Sequence, residues 1–418
     1  MSAPTVIEDI RARKIFNSRG EETIEVDVIT LGGFGRVSAP AGASKGKSEA
    51  VSYPEGGVEQ ALREVEEVIA PEIIGMNSDE QQTIDNLLHD IDGTSNFRNI
   101  GGNTAYAVSI AVAEAAAAAH GIPLFQQLAG SFVSDLPHPL GNVLGGGKHA
   151  GKNAPDIQEF LALPVKSSSF TEAAEANVKV HKTVRSLIEN VDTCFTGGKS
   201  DEGAWVPNLG NEEALNIVSK ACETVSDEVG IAISVGLDLA ASSFWDLKKK
   251  KYIYRRDKIE RDSGEQIDFI VSMTKKYHLA YVEDPLHEDD FDGFAEITKK
   301  ITSCLICGDD LFTTNKERLV RGIELGAANS VIIKPNQIGT LTDAYESVKV
   351  AKRAHYAPVA SHRSGDGCDV QLAHIAVAFG CPIIKTGVVG GERIAKINEL
   401  IRIEEALSNR AKMAFLKI

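Results

Sequence analysis

Three acids stand out because each directly follows a short apolar run: Asp238 after Ile231-Ala232-Ile233-Ser234-Val235, Glu283 after Ala280-Tyr281-Val282, and Asp309 after Leu305-Ile306. Brought together, three carboxylates repel one another unless a cation sits between them. Hard oxygen donors of this kind suit Mg²⁺. Any one of them alone could equally cap a helix that follows a strand. Two lysines occupy the same kind of position, Lys334 after Val331-Ile332-Ile333 and Lys385 after Ile383-Ile384. A lysine among other cations and partly out of water has a lowered pKa and can serve as a base; a plain anion-binding lysine is the alternative. Ser361-His362-Arg363-Ser364-Gly365 puts an imidazole, a guanidinium and two hydroxyls beside a glycine-permitted turn. That set can grip phosphate, since arginine offers it a two-pronged fork.

Three loops add candidates. Gly42-Ala43-Ser44-Lys45-Gly46 is small enough to fold over a ligand. Gly145-Gly146-Gly147-Lys148-His149-Ala150-Gly151 is too generic to be a phosphate loop by itself. Asp201-Glu202-Gly203 carries carboxylates in a glycine-punctuated turn.

The elements that must position these residues fall into two textures. From the N-terminus, Ile24, Val26 and Val28 alternate with acids and share one face of a strand, and Gly32-Gly33 makes the turn after it. Val58, Leu62, Val65 and Ile69 line one helix, with Pro71 expected to stop it. Ile84, Leu87, Leu88 and Ile91 line a second helix, ending at Gly93. Thr104 to Ala119 is apolar on all sides, as a buried helix is. These patterns predict a small α+β domain, residues 1–130. Beyond it, residues 131–418, the apolar runs end in polar residues at Asp238, Glu283, Asp309, Lys334, His362 and Lys385, spaced 45, 26, 25, 28 and 23 residues apart. A strand with its loop and covering helix takes roughly 25 residues or more. Consecutive parallel strands bring such ends to one rim, where barrel enzymes keep their chemistry. The fold class is therefore α/β: a C-terminal TIM-like barrel with a smaller N-terminal α+β domain.

Composition narrows the partners. The 418 residues include 44 Lys and Arg against 59 Asp and Glu, a formal charge of −15. Such a surface repels phosphate backbones and anionic lipid, so neither nucleic acid nor a membrane is an expected partner. The longest apolar stretch is broken by Glu114 and is too short for a membrane span. Six cysteines in 418 residues do not suggest a disulfide framework, and Cys304-x-x-Cys307 has no second pair at zinc spacing. A cytoplasmic location is expected.

Read in order, these segments resemble enolase, the phosphopyruvate hydratase of glycolysis and gluconeogenesis. Matching stretches run from Ala12-Arg13 and Ser18-Arg19-Gly20 to Arg402-Ile403-Glu404-Glu405-Ala406-Leu407. Between them lie Gly42-Ala43-Ser44, His149-Ala150-Gly151, Gln158-Glu159-Phe160, Leu237-Asp238-Leu239, Val282-Glu283-Asp284-Pro285, Gly308-Asp309-Asp310-Leu311, Lys334-Pro335-Asn336-Gln337 and Ile384-Lys385-Thr386-Gly387. The Gly145-Gly146-Gly147 variant looks more like archaeal members. The resemblance implies a carbon–oxygen lyase that reversibly dehydrates its substrate 2-phosphoglycerate to phosphoenolpyruvate, with two Mg²⁺ per site, one conformational and one catalytic. It implies Asp238, Glu283 and Asp309 as ligands of the first ion and Ser44 as a ligand of the second. Lys334 would take the C2 proton; Glu202, assisted by Glu159, would protonate the leaving hydroxyl; and Lys385 would bind the substrate carboxylate and keep Lys334 deprotonated. Arg363 and Ser364 would hold the phosphate, with His149 and His362 touching substrate. A lysine or histidine base with one or two Mg²⁺ is the known pattern of this superfamily rather than something these residues establish. The family is at least dimeric, and Glu25 and Arg402 are the expected contact pair.

The chain departs from the family at Ala41 and Lys45, where serine and threonine are usual, at Lys148 beside His149, and at Trp205, where phenylalanine is common. Lys45 places a cation near the expected phosphate and is expected to strengthen ligand capture. Two other readings compete: an acid-sugar dehydratase or racemase, against which the Ser361–Ser364 segment and the Glu202 loop speak, and a silent paralogue, which should have lost one of these groups.

Overall fold

A computed structural model describes residues 3–43 and 46–417. Ser44 and Lys45, with the expectations attached to them, lie outside the described residues.

The N-terminal part pairs three antiparallel strands in sequence order: β1 (Ile7–Phe16), β2 (Glu22–Thr30) and β3 (Phe34–Ser38). Ile24, Val26 and Val28 are fully buried on one face of β2, as their alternation requires, each contributing about 1.5–3 kcal/mol. The sheet packs on the alanine-rich helix Gly102–His120, which is buried around nearly its whole circumference. The approach is close because β3 lacks side chains where it crosses. A Cβ at Gly33 or Gly35 would lie 2.2 or 2.1 Å from the carbonyl oxygens of Ala115 and Ala111. The helix Gln81–Asp92 buries Ile84 and Leu88 and ends on Gly93 at φ 66°. One expectation fails. Pro71 does not stop its helix: Gly57–Arg63 runs into a π-helical segment, Glu64–Ile69, and helix continues over Ala70–Ile73. Proline is the second residue of that last segment, and the π-helical stretch before it, in which Ala70 N–H bonds to the Val65 carbonyl, carries the chain past it.

The second part is a closed barrel of eight strands: β4 (His138–Gly145), β5 (Glu159–Pro164), β6 (Ile233–Asp238), β7 (Tyr281–Glu283), β8 (Leu305–Gly308), β9 (Ser330–Ile333), β10 (Ala357–Ser361) and β11 (Ile383–Lys385). From β6 to β11 the strands are parallel neighbours, and β11 closes onto β4. The exception is β5, antiparallel to both β4 and β6. Its first residue, Glu159, pairs in register with Asp238, the last residue of β6. Antiparallel direction thus delivers the start of β5 to the same rim as the ends of the others.

The period of two along each strand does the rest. Leu140, Leu161, Tyr281, Cys307, Ile332, Val359 and Ile383 form one apolar layer inside the barrel. Each lies two residues from a polar residue one layer higher: Asn142, Glu159, Glu283, Asp309, Lys334, Ser361 and Lys385. Gly236, two before Asp238, leaves room for its neighbours: a Cβ there would sit 3.1 Å from that of Tyr281. Cys304 and Cys307 are buried thiols, as their apolar setting predicts. No helix among the described residues is long and apolar enough to cross a membrane.

Candidate active site

The polar layer lines a cleft of about 340 Å³ whose walls include His149, Glu159, Glu202, Asp238, Asp309, Lys334, His362, Arg363, Ser364 and Lys385, together with Gln158, Gly42 and Ala43. Every expected site residue among the described ones is therefore on this rim; Glu283 sits at its floor, bonded to Lys385.

One side is cationic and acidic at once. Lys385 Nζ lies 2.9 Å from Asp238, 2.8 Å from Glu283 and 3.2 Å from Glu159. Burial alone would lower its pKa, but these carboxylates outweigh it and hold the amine charged. Lys334 is ion-paired with Asp309, whose other oxygen accepts from Gln337 at 2.9 Å. Burial, Arg363 and Lys385 all pull Lys334 down; Asp309, with Glu283, holds it up. The expectation that neighbouring cations would leave Lys334 neutral is thus not met in the resting site, because Asp309 touches it directly.

The three acids expected to share an ion are held apart by lysines: Lys385 bonds to Asp238 and Glu283, and Lys334 pairs with Asp309. Among the described residues, the groupings whose ligand atoms come within 4.8 Å of one another are Asp284, Asp309 and Asp310, and His149, Glu159 and Glu202. The donor set still fits a hard divalent ion. Oε1 of Glu283 is buried with no hydrogen-bond partner. Burial, then repulsion from Asp238, pushes that carboxyl up to about 8. A buried carboxyl held protonated by its neighbours is one that a cation would relieve.

The opposite wall carries Glu202 on the turn 199–205. Its Oε2 accepts from Asn142 at 3.1 Å, and its Oε1 lies 3.4 Å from His362 Nε2 and 3.7 Å from His149 Nδ1. His149 Nδ1 is also 3.9 Å from Glu159. Both ring nitrogens are buried without a hydrogen-bond partner. Of the two carboxyls, Glu159 keeps the proton: burial, then the charge of Glu202, raises it well above the usual range. Burial works the same way on Glu202, but His362 and His149, facing it, hold it low. Gly203 makes the turn possible at φ 79°; a Cβ there would lie 2.1 Å from the Val389 carbonyl oxygen. The turn rests on His181, whose Nε2 is 2.9 Å from the Gly203 carbonyl oxygen, and Trp205 donates to the His181 carbonyl at 2.8 Å.

The third wall is the Ser361–Gly365 segment stitched to the N-terminal part. Ala41 and Gly365 exchange backbone hydrogen bonds of 2.7 and 2.8 Å, and Ala43 N–H donates to Ser364 Oγ. The Arg363 guanidinium is aimed by a fork to Glu49, at 3.1 and 3.2 Å, and by Asn336. Residue types alone gave no sign of Glu49 or Asn142, and Gln158 stood only as a motif letter. Asp284 was visible only as a motif letter. It sits at φ 41° and accepts the N–H groups of Asp309 and Asp310 at 3.0 and 2.7 Å, clipping the end of β8 to that of β7.

Chemically, this geometry offers a buried amine and a protonatable carboxyl pair facing each other across a small cleft, with hard acids at one end and a guanidinium at the other. Comparison with known proteins points the same way. Residues 7–128 match the family described as "Enolase, N-terminal domain" and residues 133–417 that described as "Enolase, C-terminal TIM barrel domain". The chain is 55% identical over 404 residues to the enolase of Methanothermobacter thermautotrophicus, covering 96% of this chain and 97% of that one. Against the enolase of Methanosphaera stadtmanae the identity is 56% over 406 residues, covering 97% and 98%. Against that of Pyrobaculum aerophilum it is 47% over 418 residues, covering 99% of each.

Proposed function

The chain belongs to the enolase family, carbon–oxygen lyases that reversibly dehydrate 2-phosphoglycerate to phosphoenolpyruvate, and we propose the following division of that reaction among its residues. Lys334 removes the C2 proton. That proton is weakly acidic because its loss adds charge to an existing carboxylate. Mg²⁺ held by Asp238, Glu283 and Asp309 would supply the positive charge that makes such an anion accessible, with a second ion reached from Ser44. Engaging Asp309 elsewhere removes the strongest influence keeping Lys334 charged; burial, Arg363 and Lys385 then all favour the free amine. Lys385 binds the substrate carboxylate end.

Hydroxide is a poor leaving group and must be protonated as it departs. Glu202 and Glu159 share one proton for that purpose, and Glu202, on the turn opposite Lys334, hands it over. Arg363 and Ser364 hold the phosphate, and His149 and His362 offer their unpaired nitrogens to substrate oxygens. Residues 1–130 act as a lid domain on the barrel of 131–418, in keeping with the bonds between Ala41–Ala43 and Ser364–Gly365. The protein works in the cytoplasm, in glycolysis and gluconeogenesis, as a dimer or larger homo-oligomer.

The observation that carries this reading is that Lys334, at the end of β9, and Glu159 with its neighbour Glu202, at the start of β5 across the barrel, line one cleft. The test is ultraviolet absorbance of phosphoenolpyruvate formed from 2-phosphoglycerate. Activity with Mg²⁺ that chelator abolishes is expected. Activity on a non-phosphorylated acid sugar, and none on 2-phosphoglycerate, would overturn the reading in favour of another reaction of the superfamily.

A further inference from the structure

Arg393 is the largest side chain in the molecule with no solvent exposure. It lies in the helix Gly391–Leu407, outside every motif that points to chemistry. A buried guanidinium must find acceptors for its N–H groups, and those it finds belong to two walls of the cleft. Nη1 lies 2.7 Å from His362 Nδ1 and donates to the Arg363 carbonyl at 2.6 Å. Nη2 donates to the Ser364 carbonyl at 2.5 Å and to the Asp201 carbonyl at 3.1 Å. Asp366 and Glu392 balance its charge at 3.5 and 3.4 Å. One side chain thus ties the peptide that leads into Glu202 to the segment that carries His362, Arg363 and Ser364.

The contact with His362 has a chemical consequence. A guanidinium only donates. The imidazole nitrogen facing it must therefore present a lone pair, and the proton of the neutral ring is on the other nitrogen, Nε2. That nitrogen points into the cleft, 3.4 Å from Glu202, with no partner of its own. A fixed N–H there can donate to Glu202 or to a substrate oxygen beside it. It cannot take up the proton that Glu202 must deliver. Burial, which pushes His362 down to about 4, acts in the same sense.

We propose that Arg393 is a positioning residue for the elimination half of the reaction: it locks His362 as the Nε2–H tautomer and holds the Glu202 turn in register with the phosphate-side segment. This rests on the function proposed above and adds to it a residue that touches neither substrate nor metal. It also divides the two halves of the chemistry, since Arg393 contacts nothing on the Lys334 wall.

Two measurements test it. In the wild-type protein, nitrogen NMR of the imidazole assigned by its absence from H362Q is expected to show a neutral ring protonated on Nε2 at pH 7. A ring protonated on Nδ1, or on both nitrogens, would overturn the proposal without any variant having to fold. In R393K, which keeps the charge but not the fork, kcat for dehydration is expected to fall on the order of 10- to 100-fold, as loss of charged hydrogen bonds does. Exchange of the substrate C2 proton with solvent should stay within about threefold, and R393M should lose more dehydration than R393K. Equal loss of exchange and dehydration in R393K would show a merely structural arginine and overturn the proposal. Wild-type protein inactive on 2-phosphoglycerate would instead overturn the assigned reaction, leaving the tautomer to be decided by the spectrum.

Discussion

At the scale of single residues, the side chains at the strand ends owe their place to the alternation of a strand, and those of Glu202, Arg363 and Ser364 to the loops beside them. The same alternation makes the layer beneath the strand ends apolar. This is why Asp238, Glu283, Asp309, Lys334, His362 and Lys385 were legible in the sequence: a charge that interrupts an apolar strand pattern at its end has few other reasons to be there. Glu159 was legible only through resemblance, because it begins its strand instead of ending it. Glu49 and Arg393 were not legible at all, since their partners are 314 and about 30 residues away and no local pattern marks them. Glu202 is a matter of proton delivery. In E202Q the carboxyl is lost but the Asn142 contact can remain. Dehydration is expected to fall by about 10²- to 10⁴-fold while exchange of the C2 proton continues. Loss of exchange along with dehydration would show that Glu202 does more than protonate the leaving group.

At the scale of elements, the turn 199–205 is held from outside the cleft. His181 and Trp205 lie 4.7 Å apart, centre to centre, beneath it. Burial pushes His181 down to about 4 from an ordinary 6.5, so the ring is neutral in the folded protein. A group with a depressed folded pKa binds more protons when unfolded. Its stabilising effect is therefore complete above pH 6.5 and declines as pH falls towards 4, by about 3 kcal/mol in all. H181Q keeps a donor for the Gly203 carbonyl but cannot titrate. Thermal unfolding followed from pH 7 to pH 4.5 should show a smaller acid loss of stability in H181Q than in wild type; identical profiles would contradict the assignment. The strands that escaped the sequence, β4 and β5, did so for a related reason. They form a hairpin whose reversed second strand breaks the spacing set by β6 to β11. The helix that passes Pro71 escaped because a π-helical segment, which leaves no mark in apolar periodicity, carries the chain past it.

At the scale of the whole molecule, an acidic chain handles an anionic substrate by gathering three cations at one cleft. Lys385 and Arg363 are buried, Lys334 is partly so, and each is paired with a carboxylate. Both the net charge and the two-part plan could be read from the sequence; how copies of the chain meet could not. Glu25 is paired with Arg13 within the sheet at 2.5 Å and Arg402 with Glu399 at 2.8 Å, so each remains within reach of a partner only by sharing. The proposed contact predicts that R402E alone, which sets two acids against each other, lowers the oligomer's mass in sedimentation at low concentration and that adding E25R restores it; an unchanged mass in R402E would count against that pair. The claim on which the rest depends is that Lys334 is the base. It is tested most directly by following C2 proton exchange of 2-phosphoglycerate in D₂O with K334A, alongside calorimetric Mg²⁺ binding to the same variant. The account predicts that exchange is abolished while Mg²⁺ still binds; exchange that persists in K334A would contradict it.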